Sequence, residues 1–166
     1  IGKYQFQIKK YITNKIYEDY KKDEKYFSGE RLIIRETGSE LTAAFLDSFL
    51  IVNRSIYAIK ITDSKVDPKY ILGILNSRLM QYFYETRFKA DTNIFPKIRI
   101  IQVKELPIRM DYTHLNLEII KSVDEILNAK KSNPTTETSA LESEIDRLVY
   151  ELYGLTEEEI RIVEED

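Results

Sequence analysis

Apolar and polar residues alternate over residues 3–8 (Lys-Tyr-Gln-Phe-Gln-Ile), a period of two that predicts a strand. Residues 9–27 are rich in Lys and Tyr, lack Gly and Pro, and read as a helix that Ser28-Gly29 ends. Leu32, Ile33 and Ile34 make Arg31–Glu36 a buried strand, stopped by Thr37-Gly38-Ser39. Two further strands are expected over 42–46 and 49–61; in the second, Ile56, Ala58, Ile59 and Ile61 bracket Tyr57 and Lys60. Asp67-Pro68 is a helix start, because Asp accepts a first-turn N–H and Pro fits where no N–H is needed. Ile71, Ile74, Leu75, Leu79 and Phe83 then recur at helical spacing, so one amphipathic helix is predicted over 68–87. A loop from Phe88 to Phe95 leads through Pro96 to a strand over Ile98–Val103, closed by Leu106-Pro107.

The last third of the chain changes period. Ile119, Ile120, Val123, Ile126 and Leu127 share one face of a helix over Leu115–Lys131, and Asn133-Pro134-Thr135-Thr136 marks a connector after it. Ser139 with Glu142 reads as a capping box ahead of the stripe Leu141, Ile145, Leu148, Val149 and Leu152. Gly154 suits the left-handed residue that ends a helix, and Thr156 with Glu159 opens a short last one. The fold class is therefore α+β: a small mixed or antiparallel sheet with packed helices over 1–109, followed by a C-terminal helical region over 110–166.

Charge sharpens this division. Residues 1–109 carry 20 Lys and Arg against 13 Asp and Glu, a net +7, while 110–166 carry 5 against 15, a net −10. A basic body keeps a polyanionic partner open even though the whole chain is at −3, because phosphate binding depends on a local face. No stretch approaches the roughly 18 apolar residues of a membrane span, and no secretory signal is present, so a cytoplasmic setting is the default. The chain starts at Ile1 and not Met, which suggests a piece of a longer protein.

Catalytic chemistry has little to build on. There is no cysteine, which removes disulfides, thiol nucleophiles and thiolate metal sites. The single histidine, His114, falls at a helix start, where capping or surface exposure is the simpler role. Five scattered glycines make no phosphate-cradling loop, and no two prolines are adjacent. The acid–X–Lys tripeptides of metal-dependent nucleases occur at Asp23-Glu24-Lys25, Asp63-Ser64-Lys65 and Asp67-Pro68-Lys69, but none sits within a predicted strand. Glu157–Glu159 occupy a helix first turn, where they favour the dipole. No metal site is expected.

Several segments, in order, carry a resemblance: Gly29-Glu-Arg-Leu-Ile-Ile-Arg-Glu36, Leu41-Thr-Ala-Ala-Phe45, Asn53-Arg-Ser-Ile-Tyr57, Tyr70-Ile-Leu-Gly-Ile-Leu-Asn-Ser-Arg-Leu79, Lys97-Ile-Arg99 and Lys104-Glu-Leu-Pro-Ile108. The set resembles the C-terminal specificity domain of TaqI-type and fused type II restriction–methylation enzymes, and is similar to the recognition domains of type I specificity subunits. Ile145-Asp-Arg-Leu-Val-Tyr-Glu-Leu-Tyr-Gly-Leu-Thr-Glu-Glu-Glu159 resembles the usual ending of such proteins, so the likeness spans roughly 28–163; residues 1–27 fit no pattern we can place. The resemblance implies sequence-specific recognition of double-stranded DNA by a module that is not itself catalytic. Adenine methyltransferase and nuclease domains would lie N-terminal to it in the parent chain, using S-adenosylmethionine and Mg2+, and this chain would need no cofactor. Its C-terminal helices would serve as spacer, packing or homodimer surface.

Duplex recognition needs forked donors or amides for base edges and cations for phosphates. The expected base readers are Arg54, Ser55, Arg87, Lys89, Asp91, Thr92 and Asn93, in the segments predicted as loops; the expected phosphate contacts are Lys9, Lys10, Lys60, Lys97 and Arg99. Any of the twelve tyrosines could stack on an extruded base. Plainer roles compete. Arg31 and Arg35 can pair with Glu30 and Glu36, Tyr82, Phe83 and Tyr84 can be core, and Lys21, Lys22 and Lys25 can be a solvated helix face. Two other function classes also stand: a protein-interaction module carried by the helices, and a small metal-dependent nuclease relying on Asp67 or Asp47.

Overall fold

In a computed structural model of the chain, residues 2–5, 27–38, 40–52, 54–88, 97–110 and 113–165 are described. They form three strands, β1 (Arg31–Arg35), β2 (Ala43–Leu46) and β3 (Ile56–Ile59), and six helices. The helices are α1 (Pro68–Asn76), α2 (Arg78–Phe88), α3 (Ile100–Lys104), α4 (His114–Ser132), α5 (Ser139–Tyr153) and α6 (Glu157–Glu165). The α+β class holds, with a sheet that is wholly antiparallel in the order β2-β1-β3.

Alternation along β1 divides the sheet's two faces. Leu32 and Ile34 point into the main core with Ala43, Leu72, Ile74 and Ile98. Ile33 points the other way, to a small cluster with Ala44 and Leu46 that Leu50, Val52 and Ile56 cover. That cover explains why the strand expected over 49–61 shrinks to Ile56–Ile59. The carbonyls of Ser48 and Leu50 turn to the Arg31 guanidinium, at 2.9 and 3.2 Å, instead of to a neighbouring strand. Arg31 also donates to the carbonyls of Gly29 and Phe27, at 2.6 and 2.7 Å. It therefore does not pair with Glu30; it is buried, with both Nη groups met by backbone oxygens and only Nε left without an acceptor, and burial lowers its pKa against the opposing pull of Asp47.

The single helix expected over 68–87 is two. Asp67 does cap α1, accepting from the Lys69 N–H at 2.8 Å. At Ser77 the backbone turns extended, and its hydroxyl oxygen accepts from the Met80 N–H at 3.3 Å while donating to the Ile74 carbonyl at 2.8 Å. Asp146 of α5 takes the exposed first-turn N–H of Arg78, at 2.8 Å. A serine that caps a new helix, with a tertiary acceptor beside it, overrides a continuous apolar stripe.

Asn76, at the end of α1, fastens the helix pair to the sheet. Its amide accepts from the Ala43 N–H at 3.0 Å and donates to the Ala43 carbonyl at 3.1 Å, pairing with the free edge of β2 as another strand would. Gln81 of α2 accepts from the Leu41 N–H at 2.8 Å just beyond. Across α1, Gly73 lets α4 come close: a Cβ there would stand 2.6 Å from Ile119 Cγ2. One core thus runs from β1 and β2 through α1 to Ile119, Val123 and Ile126 of α4 and Ile145, Leu148 and Val149 of α5. The segment joining the basic and acidic parts is clamped on both sides: Tyr70 donates to the Arg109 carbonyl at 2.6 Å, and Tyr153 to the Pro107 carbonyl at 2.6 Å.

Other expectations shift by local chemistry. Residues 2–5 close a tight turn, with Gly2 and Gln5 exchanging N–H···O bonds at 3.0 and 3.2 Å and Tyr4 at φ 61°, so no strand starts there; residues 6–8 lie outside the described residues, as does the helix expected over 9–27 up to residue 26. Ile98–Val103 is not a strand. Ile98 is buried, but the chain then coils into α3 with Ile100 and Ile101 exposed, because Gln102 reaches back to accept the Arg99 N–H at 2.8 Å. The cap of α5 falls one residue early, on Thr138, whose hydroxyl donates to Glu142 at 2.7 Å while Glu137 accepts the Thr138 and Ser139 N–H groups. Gly154 is left-handed (φ 71°) and Thr156–Glu159 forms its box, as the sequence predicts. Among the described residues no helix is long and apolar enough to cross a membrane.

Two measurements check this framework. Asn76→Ala orphans the buried Ala43 N–H and should cost about 2 kcal/mol, read as a fall in thermal midpoint of about 5 °C. Asp146 has its pKa raised, chiefly by burial, against the Arg78 N–H that stabilises its charge. A raised carboxyl favours the folded state while protonated and loses that advantage as pH climbs through the folded pKa. Asp146→Asn keeps the acceptor, so its urea midpoint should gain on that of the parent as pH rises above the ordinary carboxylate range.

Candidate nucleic-acid interface

Three of the cations expected from the sequence, Arg54, Lys97 and Arg99, meet at one corner of the sheet, where β1 ends and β3 begins. The Glu36 N–H donates to the Ser55 carbonyl at 2.8 Å, which brings the Arg54–Ser55 turn beside the end of β1. Next to it, the Ile98 N–H donates to the Glu36 carbonyl at 2.8 Å and Lys97 bridges to Thr37. Tyr57 of β3 secures this arrangement by donating to the Ile98 carbonyl at 3.1 Å. Ser55, Lys97 and Arg99, far apart in sequence, thus share one rim with Arg54 beside them.

Helix α2 brings Arg87 toward the same corner. Phe88 packs on Phe83 and Tyr84, with ring centroids 6.3 and 5.6 Å apart. The Tyr84 hydroxyl meets Gln102 Oε1 at 3.3 Å, the atom that also holds the Arg99 N–H. Burial raises the Tyr84 pKa, with the Arg99 charge opposing. Phe88 and Lys97, which flank residues 89–96, are both anchored here. Lys89, Asp91, Thr92 and Asn93 lie outside the described residues, as do Lys9 and Lys10.

The electrostatics suit an anion. Arg54, Arg87, Lys97 and Arg99 are exposed. Lys97 keeps only a long contact with Glu36, at 3.8 Å, with its side chain 59% exposed. Lys60 stands apart, at the other end of β3, some six residues or about 20 Å along the strand direction from Arg54. It lines a shallow groove with Glu30, Asp63 and Asp67, carboxylates that would repel a phosphate. Lys104, exposed at the end of α3, was not among the expected contacts.

No nuclease constellation forms at the tripeptides that are described. Asp63 accepts the Lys65 N–H at 2.9 Å in a turn, Asp67 is a helix cap, and Lys69 is ion-paired with Asp124 at 2.6 Å. No three His, Cys, Asp or Glu side chains gather to hold a metal among the described residues. His114 is the exposed first residue of α4. Tyr84 is buried, while Tyr82 and Phe83 are half-buried beside it, so this triplet mainly packs.

An antiparallel sheet backed by helices, with exposed cations on one rim, defines an α+β module. Residues 1–108 match the TaqI-like C-terminal specificity domain, and the chain belongs to that family. The match takes in residues 1–27, which fit no pattern in the sequence alone, and stops at Ile108. No curated protein matches the chain. Membership gives the chain a DNA-recognition role in restriction–modification enzymes.

The corner depends on Gln102. Gln102→Ala should free the Arg99 N–H and the Tyr84 hydroxyl together and cost about 1 kcal/mol. Hydrogen exchange at the Arg99 amide should accelerate, while exchange within α5 stays unchanged.

Proposed function

We propose that this chain reads double-stranded DNA through the corner formed by Arg54–Ser55, Lys97–Arg99 and the end of α2, and that it performs no chemistry itself. The observation that carries this reading is the convergence of Arg54 with Lys97 and Arg99, from segments more than 40 residues apart, on one rim in a specificity-domain family. Phosphates would be held by Lys97 and Arg99. Arg54, Arg87 and the side chains of residues 89–96 would reach base edges, arginine forking onto guanine and Asn93 onto adenine. The acidic α4 and α5 lie across α1 from the sheet, so they would face away from the phosphates.

Cleavage and adenine methylation would belong to N-terminal domains of a longer, cytoplasmic parent protein, with S-adenosylmethionine and Mg2+ bound there. Homodimerisation through the C-terminal helices has little apolar surface to use, because the stripes of α4 and α5 are buried inside this chain. Leu117 and Ile162 are what these helices leave exposed.

The test is selection from a randomised duplex pool followed by a salt titration on the enriched sequence. Lys97→Ala and Arg99→Ala should each lower the slope of log affinity against log salt by about 0.9 without changing the enriched sequence. Arg54→Ala should relax one or more positions of that sequence, and Lys60→Ala should leave both readouts unchanged. Binding that is absent at low salt, or indifferent to these changes, would sink the proposal and favour a protein-docking role.

A further inference from the structure

Arg31 and Arg35 sit four residues apart on the same side of β1, each with a buried Nε that has no acceptor, yet their Nη groups meet different surroundings. Arg31 is enclosed and donates to four backbone carbonyls. The Arg35 side chain makes no hydrogen bond or ion pair with any described residue, and its neighbour Glu36 is drawn to Lys97 instead. The Arg35 Nε is shut away from solvent with no acceptor, while its two Nη groups are not enclosed in that way. Gly38 roofs the guanidinium: a Cβ on Gly38 would lie 2.9 Å from Nη2 and 3.2 Å from Cζ and Nε. Gly38 also holds φ 136°, a conformation that side chains resist, so the bare backbone is what permits this flat packing.

Arg35 is opposite Ile56 in the sheet register, beside the Arg54–Ser55 turn and two residues before the Thr37–Lys97 bridge. An arginine packed against Gly38, with no counter-ion among the described residues and with Arg54 and Lys97 nearby, is a poor structural element. Arg31, by contrast, has acceptors on both Nη groups and only its Nε goes without. A preorganised fork loses little freedom on meeting an anion, and a phosphodiester offers two oxygens in matching geometry.

We infer that Arg35, held flat beneath Gly38, is a DNA phosphate anchor, placed at the centre of the basic corner. The inference rests on the DNA-reading proposal above and adds the contact that would fix the register of the duplex on the sheet. Arg35 would position the DNA and read no base.

The experiment titrates salt against binding of the full 166-residue chain to the duplex enriched from the random pool. Arg35→Gln should lower the salt slope by about 0.9, weaken binding on the order of tenfold, and leave the enriched sequence as it was. Arg35→Lys keeps the charge and loses the fork, so it should keep the slope and still bind more weakly. An unchanged slope in Arg35→Gln overturns the inference, and so does an altered enriched sequence, which would make Arg35 a base reader. If Arg35→Gln does not fold, Arg35→Lys decides: binding as tight as the parent's overturns the anchor. Absence of binding by the parent chain itself would instead strike the DNA-reading proposal, so the two failures are separable.

Discussion

A single carboxamide sets the geometry of this protein. Asn76 closes α1 by pairing with both polar groups of Ala43, so the free edge of β2 receives a side chain where a further strand could have docked. That contact fixes the end of α1 against the sheet, and Ser77 immediately breaks the helix, so the chain leaves in a new direction as α2. Because α2 starts beside β2 and ends near Tyr57 and Ile98, it carries Phe88 to the corner where the cations collect. On the opposite side of α1, the bare Gly73 seats α4, and the acidic helices become part of one core with the sheet.

The two arginines of β1 show how a fold separates structural charge from available charge. Burying a guanidinium is tolerable when most of its donors find acceptors, and four carbonyls around Arg31 serve both Nη groups, leaving only Nε without one, while pinning the segment over the second sheet face. Arg35 lacks such a shell. Its charge adds to those of Arg54, Lys97 and Arg99 on a rim from which α1 separates the acidic helices. The net charge of −3 therefore says little about the surface a partner meets.

Helical elements were the most legible in the sequence. Asp67-Pro68, Gly154 and the Thr156–Glu159 box act through bonds between near neighbours, and the stripes of α4 and α5 repeat over enough turns to be unambiguous. The strands at 31–35 and 43–46 were equally readable from short apolar runs between breakers. Misreadings fell where an apolar run was short or a cap had a rival. Ile98–Val103 has as many β-branched residues as a strand, but Gln102 closes a helical turn around Arg99. Glu142 had two hydroxyls within reach, Thr138 and Ser139, and Thr138 took it. In the candidate site, Arg54, Lys97 and Arg99 were recognisable as exposed cations, whereas Arg35 looked like a partner for Glu36.

By itself, the sequence determined the local elements, the split between a basic and an acidic part, and the family, because each rests on residue types at short or ordered spacing. Tertiary structure alone decided which cations share a rim, which arginine finds acceptors for its Nη groups, and that α4 and α5 join the core of the sheet. Those outcomes depend on contacts spanning 30 or more residues, such as Asn76 with Ala43 and Tyr57 with Ile98. A side chain's freedom to meet a ligand is what remains after such distant neighbours have taken their share of donors and acceptors, and no periodicity in the chain records it.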